Sequence, residues 1–138
     1  MTKLYTATAI LLLQERGGLS LDDPMAKYLP PELIGGIHQY GGTDYSARIT
    51  IRQLASHRSG IADYYDEKAS DGKRLFELLV EQPDHVWTVD DTIARARTMR
   101  AHFAPGTQTF YSHTCVISAG ENFSRSMLGD RGGFVLCE

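Results

Sequence analysis

Residues able to do chemistry are few in this chain, and the most conspicuous is Lys3. It stands at the start of the stretch Met1 to Arg16, which contains the apolar run Ile10-Leu11-Leu12-Leu13 and is closed by Gly17-Gly18. The run has no polar face of its own, so the stretch is expected to be a helix buried nearly all round, capped by one of the two glycines. A lysine in the first turn of a buried helix sits against the positive end of the helix dipole, and burial disfavours its charged form. Such a lysine either reaches water along its stem or is functional. The five histidines, His38, His57, His85, His102 and His113, are scattered with no pair at the helical spacing of a zinc site, so no metal is expected. Ser59-Gly60 is not a nucleophile elbow, because that motif needs glycine two residues before the serine and His57 occupies that position. His57 itself reads as a capping or loop residue. No glycine-rich phosphate loop is present.

The elements that must position these residues read as helix after helix. Asp23 is expected to cap a short helix, Met25 to Leu29, with Pro24 at its first position. Glu32 to Arg48 has two glycine pairs and reads as a long surface loop. Thr50 and Gln53 form a capping-box pattern for a helix from Ile51 to His57. Ile61 to Ser70 has no clear periodicity. Asp71 is expected to cap a helix running to about Gln82, with Leu75, Phe76, Leu78, Leu79 and Val80 as its apolar stripe and Pro83 as its stop. Thr88 to Asp91 predicts another helix start, with helix through Arg100. Phe103 to Thr107 reads as a turn and Gln108 to Ser112 as extended chain. From Thr114 onward the glycines and scattered apolar residues form no pattern, so 114–138 is expected to be a poorly packed tail after a helical region 1–113.

At 138 residues the chain can build one core. A hydrophobic fraction of 42% and a charged fraction of 22% are those of a globular protein, and a net charge of -3 offers no basic surface to nucleic acid. The first stretch has far fewer than the roughly 20 apolar residues of a membrane span. It resembles a signal peptide only in outline, since threonines interrupt its apolar core and Gln14-Glu15-Arg16 replaces the small-residue cleavage site. Cys115 and Cys137 have no metal-like spacing; a disulfide between them stays open.

Four collinear segments carry a specific resemblance. They are Thr2-Lys3-Leu4-Tyr5-Thr6-Ala7; Gly18-Leu19-Ser20-Leu21-Asp22-Asp23-Pro24 with Tyr28-Leu29-Pro30; Ile51 to Ile61, containing Ala55-Ser56-His57-Arg58-Ser59-Gly60; and Phe103-Ala104-Pro105-Gly106-Thr107 leading to Tyr111-Ser112. In order and spacing they resemble the serine β-lactamase-related family, which includes class C β-lactamases, D-alanyl-D-alanine carboxypeptidases and related esterases. The resemblance covers about Met1 to Ser112. It implies a mainly α chain, the helical region of an α/β fold with the sheet largely missing.

The same resemblance implies the site residues. The family's catalytic motif is Ser-x-x-Lys at the start of a helix, and Lys3 matches its lysine; the serine would stand one position before Met1. Tyr111 matches the tyrosine of the family's Tyr-x-Asn motif, and His113 stands where the family has asparagine. The third motif, Lys-Thr-Gly or His-x-Gly, has no counterpart here. A serine hydroxyl needs a neighbouring base, and a lysine desolvated beside a tyrosine can share that work. His113 offers one hydrogen bond where an amide offers several, and its protonated form would repel Lys3. The expectation is therefore a piece of a serine hydrolase acting on a β-lactam, a D-alanyl peptide or an ester, inactive as given, using no cofactor and taking a small-molecule or peptide substrate in its intact parent. A gene model beginning at an internal methionine, with a reading-frame change after Thr114, would account for both ends. The rival expectations are a non-catalytic helical interaction module and a small exported protein with a cleaved leader.

Overall fold

The computed structural model describes residues 2–115, with side chains from Leu4 onward. Its helices are α1 (Thr2–Glu15), α2 (Pro31–Ile34), α3 (Ile51–Ala55), α4 (Leu75–Glu81) and α5 (Val89–Arg97). A two-stranded antiparallel hairpin, β1 (Gln39–Tyr40) with β2 (Thr43–Asp44), is the sheet found among the described residues. Two short 3₁₀ turns, Met25–Lys27 and Ser46–Arg48, complete the order.

The core forms where two distant stretches are stitched together. Met25 N–H donates to the Ile49 carbonyl, Ile51 N–H to Asp23 and Arg52 N–H to Leu21, so residues 21–25 and 49–52 run side by side. The Arg52 guanidinium closes the edge with a two-pronged bond to the Asp22 carboxylate. Between them Met25, Ile49, Ile51 and Leu54 are almost wholly removed from water. Each such side chain contributes about 1.5–3 kcal/mol by leaving water. Ile93 and Ala96 of α5 join the same cluster. Arg97 donates to the carbonyls of Glu32, Leu33 and Gly35, so α5 supplies the partners that the exposed end of the single-turn helix α2 lacks.

The capping box read at Thr50 is present, and the helix start read at Thr88 proves to be a capping box too. Thr50 accepts from Gln53 N–H while Gln53 accepts from Thr50 N–H, and Thr88 and Asp91 do the same at α5. Other boundaries differ. The helix expected over Met25 to Leu29 is a 3₁₀ turn with Pro24 at its cap, and the Asp23 carboxylate takes Lys27 and the Tyr28 hydroxyl instead. Asp71 does not cap α4: it accepts from Lys73 N–H and from Arg95, whose guanidinium is buried there and also donates to the Tyr64 and Lys73 carbonyls. α3 stops at Ala55 and α5 at Arg97, before the predicted ends.

Glu32 to Arg48 is not a featureless surface loop. It holds part of α2, the hairpin and the second 3₁₀ turn, and buries Ile34, Ile37, His38 and Ser46. The glycines that looked like breakers turn the chain: Gly41 and Gly42, with φ of 58° and 77°, adopt the positive φ that a two-residue hairpin turn requires at both positions.

Helix α1 departs most from expectation. Ile10 and Leu13, three residues apart, face the core, but Leu11 is 57% and Leu12 45% exposed, and Leu4 and Tyr5 are more exposed still. Neither α3 nor α4 packs extensively along it. An apolar sequence all round does not bury a helix when the described chain lies against only one of its sides. α4 behaves alike, with Leu75 buried and Phe76 and Val80 exposed. No described helix is long and apolar enough to cross a membrane. Thr114 and Cys115 are buried, and residues 113–115 are helical; the remainder of the predicted tail, with Cys137, lies outside the described residues.

Candidate functional site

The site is built where α3 ends. Arg58 N–H donates to the Gln53 carbonyl and His57 N–H to that of Leu54, a Schellman arrangement with His57 in the left-handed conformation, φ 55°. Histidine tolerates that conformation better than most side chains, and here it does more than cap. Its carbonyl accepts Phe110 N–H at 2.9 Å, its Nδ1 accepts Ser112 N–H at 3.4 Å, and its ring stacks on Tyr111 with centroids 4.6 Å apart. The capping residue of α3 thus docks the segment that carries Tyr111.

From His57 the chain runs through Ser59-Gly60-Ile61-Ala62-Asp63, every residue of which is buried except for a trace. Gly60, at φ 78°, lies so close to the Phe103 backbone that a Cβ would stand 2.3 Å from its carbonyl oxygen. The His38 ring stands beside that carbonyl, 3.0 Å from where the Cβ would be, and donates to it from Nε2 at 2.9 Å. Burial holds the His38 pKa below its usual 6.5. Further on, the Ala62 carbonyl accepts the hydroxyls of Ser112, at 3.2 Å, and Thr114, at 2.7 Å, and Thr114 Oγ1 accepts Tyr64 N–H. Ser59 Oγ and Cys115 Sγ are 3.0 Å apart. Burial pushes the Cys115 thiol pKa up, which keeps it protonated and inert.

Ser112 and Thr114 therefore face inward, and Tyr111 and His113 face the other way. The two outward rings stand edge to face, centroids 5.2 Å apart, and the row continues from His113 to Tyr65 at 5.1 Å. Behind it His113 Nδ1 meets the Asp63 carboxylate at 2.9 Å; that carboxylate is 3% exposed and its second oxygen accepts Tyr65 N–H. Asp66 lies 3.9 Å from the same nitrogen but is 68% exposed. Burial beside Asp63 and Tyr65 pushes the Tyr64 phenol up to about 12, so it stays neutral.

Of the predicted residues, Tyr111 and His113 are brought together. Lys3 lies in the first turn of α1, and its side chain falls outside the described residues. Sequence reasoning missed Asp63 and the Tyr65 ring, which lie in the stretch left without periodicity; the run Asp63-Tyr64-Tyr65-Asp66 was the available signal. It also set metals aside from sequence-local spacing, whereas Asp63, Asp66 and His113 place their ligand atoms within 4.8 Å of one another from distant segments. Both Asp63 oxygens and the His113 Nδ1 already have hydrogen-bond partners, so that proximity is explained by an Asp–His pair. A separate open cleft of about 670 Å³, lined by Tyr40, Lys68, Arg100 and His102 among others, includes neither Tyr111 nor His113.

The family model described as Beta-lactamase matches residues 1–127. The beta-lactamase-like protein str5 of Strobilurus tenacellus is 46% identical over 69 residues, 46% of this chain and 23% of its own length. The D-alanyl-D-alanine-carboxypeptidase/endopeptidase AmpH of Escherichia coli (strain K12) is 30% identical over 114 residues, 82% of this chain and 26% of its own. Among solved structures, the D-stereospecific amidohydrolase from Streptomyces sp. superposes with a TM-score of 0.74 at 35% identity, over 91% of this chain and 35% of that one. The chain thus spans about a quarter of the length of these curated relatives.

Proposed function

From the premise that this chain belongs to the Beta-lactamase family of serine hydrolases, we propose that its residues are part of an acyl-serine hydrolase in which Lys3 and Tyr111 stand in the catalytic site and the nucleophilic serine lies outside the 138 residues. The observation that carries the reading is the docking of Tyr111-Ser112-His113 on the end of α3, through His57 and the Ala62 carbonyl. Two of the four collinear segments are thereby packed into one place, with Tyr111 45% exposed and facing outward.

In the whole enzyme the serine oxygen attacks the substrate carbonyl and passes its proton to the Lys3–Tyr111 side of the site. The carbon–nitrogen or carbon–oxygen bond then breaks as the leaving group takes that proton, and water hydrolyses the acyl-serine. The substrate is a β-lactam, a D-alanyl peptide or an ester. In the 138 residues alone Lys3 and Tyr111 have no serine to activate. Removing the nucleophile from a serine protease of another fold costs roughly a millionfold in turnover. The 138-residue chain therefore hydrolyses none of these substrates above background.

The test is an assay of the purified chain with a chromogenic cephalosporin and a nitrophenyl ester, followed by mass spectrometry after treatment with an acylating probe. Stoichiometric labelling of Ser59, Ser112 or any other serine overturns the assignment of the nucleophile. A version extended to supply Ser-x-x-Lys, and the rest of the domain, is expected to label at that serine.

A further inference from the structure

His113 occupies the position at which an amide was expected, and its Nδ1 is 2.9 Å from a carboxylate oxygen of Asp63 that water scarcely reaches. A carboxylate only accepts, so Nδ1 must carry the proton of that bond. In the neutral ring Nε2 is then a bare acceptor, on the edge turned away from Asp63. The ring cannot easily swing, because Tyr111 and Tyr65 stand against it at 5.2 and 5.1 Å and Thr114 anchors the backbone one residue on. Asp63 is itself fixed by Tyr65 N–H on its other oxygen, and its own N–H donates to Glu67.

The geometry points to Asp63 as a positioning residue: it sets the tautomer and orientation of His113, so that Nε2 is offered beside Tyr111 to a group that donates a hydrogen bond, an amide N–H or an amine. This answers how a histidine can stand at a position calling for an amide oxygen. The amide both donates and accepts; the ring held in this way keeps the accepting half and forgoes the donating half. Beside a lysine amine an Nε2 lone pair is attractive where an Nε2–H would be repulsive. Among the described residues, the ionisable groups facing His113 are Asp63, Asp66, Tyr65 and Tyr111. Of these only Asp63 is both buried and within hydrogen-bond distance of the ring.

The inference rests on the reading of Tyr111-Ser112-His113 as a catalytic motif, but its test needs no turnover. Long-range nitrogen–proton NMR spectra of the 138-residue chain, with the His113 signals identified by their loss in His113→Gln, report which ring nitrogen carries the proton. The expected spectrum at neutral to mildly alkaline pH shows Nδ1 protonated and Nε2 bare. In Asp63→Asn that signature is expected to be lost in favour of the Nε2–H form common in free histidine, and in Asp66→Asn it should persist. An Nε2–H tautomer in the unmodified chain overturns the proposal, and that spectrum decides the matter even if Asp63→Asn does not fold. An equal loss in Asp66→Asn also overturns it, as does displacement of the Nδ1 proton by one equivalent of zinc, which would make the cluster a metal site. A wrong tautomer leaves the hydrolase reading standing, and a silent longer enzyme leaves the tautomer standing.

Discussion

In the segment 57–64 every residue except Ile61 has at least one bond to residues 102–115, whereas α1 gives Ile10 and Leu13 to the core and holds Leu4, Tyr5, Leu11 and Leu12 in water. The two regions are fixed by different forces. Around Gly60 and Ala62 a lattice of directional bonds admits one geometry, because each buried group left unpaired would cost about 1–3 kcal/mol. Along α1 a stripe of two side chains supplies non-directional burial, and the remaining apolar surface constrains nothing. The candidate site belongs to the first region. Its shape should therefore be insensitive to changes on the outward face of α1.

That contrast can be broken by substitution. Gly60→Ala should be the most damaging, since it combines a left-handed φ with a Cβ placed 2.3 Å from the Phe103 carbonyl oxygen; a loss above about 3 kcal/mol is expected in urea unfolding. A loss below about 1 kcal/mol would mean that the 60/103 crossing is not tight. Ile10→Ala should cost about 3 kcal/mol, the usual range for emptying a core site, and a near-neutral result would show that α1 is not docked at all.

Thr114→Val keeps the shape but removes the acceptor of Tyr64 N–H and a donor to Ala62, for a loss of about 2 kcal/mol. Under chemical denaturation this should appear as a lower midpoint with an unchanged slope. A pH series tests His38, whose folded pKa lies below 6.5 while its unfolded value does not. The unfolded state then binds more protons between those two values, so stability is complete above about pH 6.5 and falls as the pH drops through the folded value. His38→Gln should flatten that part of the profile, and an unchanged slope there would acquit His38. Leu11→Ser and Leu12→Ser should move stability by less than about 0.5 kcal/mol, while lowering the fluorescence of a dye that binds apolar surface. A large destabilisation by either would show that the outward face of α1 is covered in solution.

The parts of this fold legible in the sequence are those fixed by neighbours in the chain. Thr50 with Gln53 and Thr88 with Asp91 satisfy each other across three residues, so one box and one helix start could be read directly. Asp23 and Asp71 carry the same local signature of a cap, yet each takes a better charged partner, Lys27 in one case and Arg95 in the other. The hairpin was hidden because glycine marks irregular chain and tight turns alike. At the site, Tyr111 and His113 were found through ordered motifs, whereas Asp63 meets His113 from 50 residues away and no spacing rule reaches that far.

That reach in sequence sets an order of events during synthesis. The partners of Ser59, Ala62, Asp63 and Tyr64 lie on Ser112 to Cys115, 50 to 56 residues later. A ribosome adding about 5–20 residues each second needs roughly three to ten seconds to supply them. Through that interval the Ala62 carbonyl and the Asp63 oxygen that later meets His113 lack those partners, while the Asp63–Tyr65 turn and the capping box of α3, each made of near neighbours in sequence, can already form. The candidate site is therefore closed late, as a clasp of late-arriving hydroxyls upon an earlier turn. A translational pause just before residue 112 would prolong the open state without disturbing the helix that precedes it.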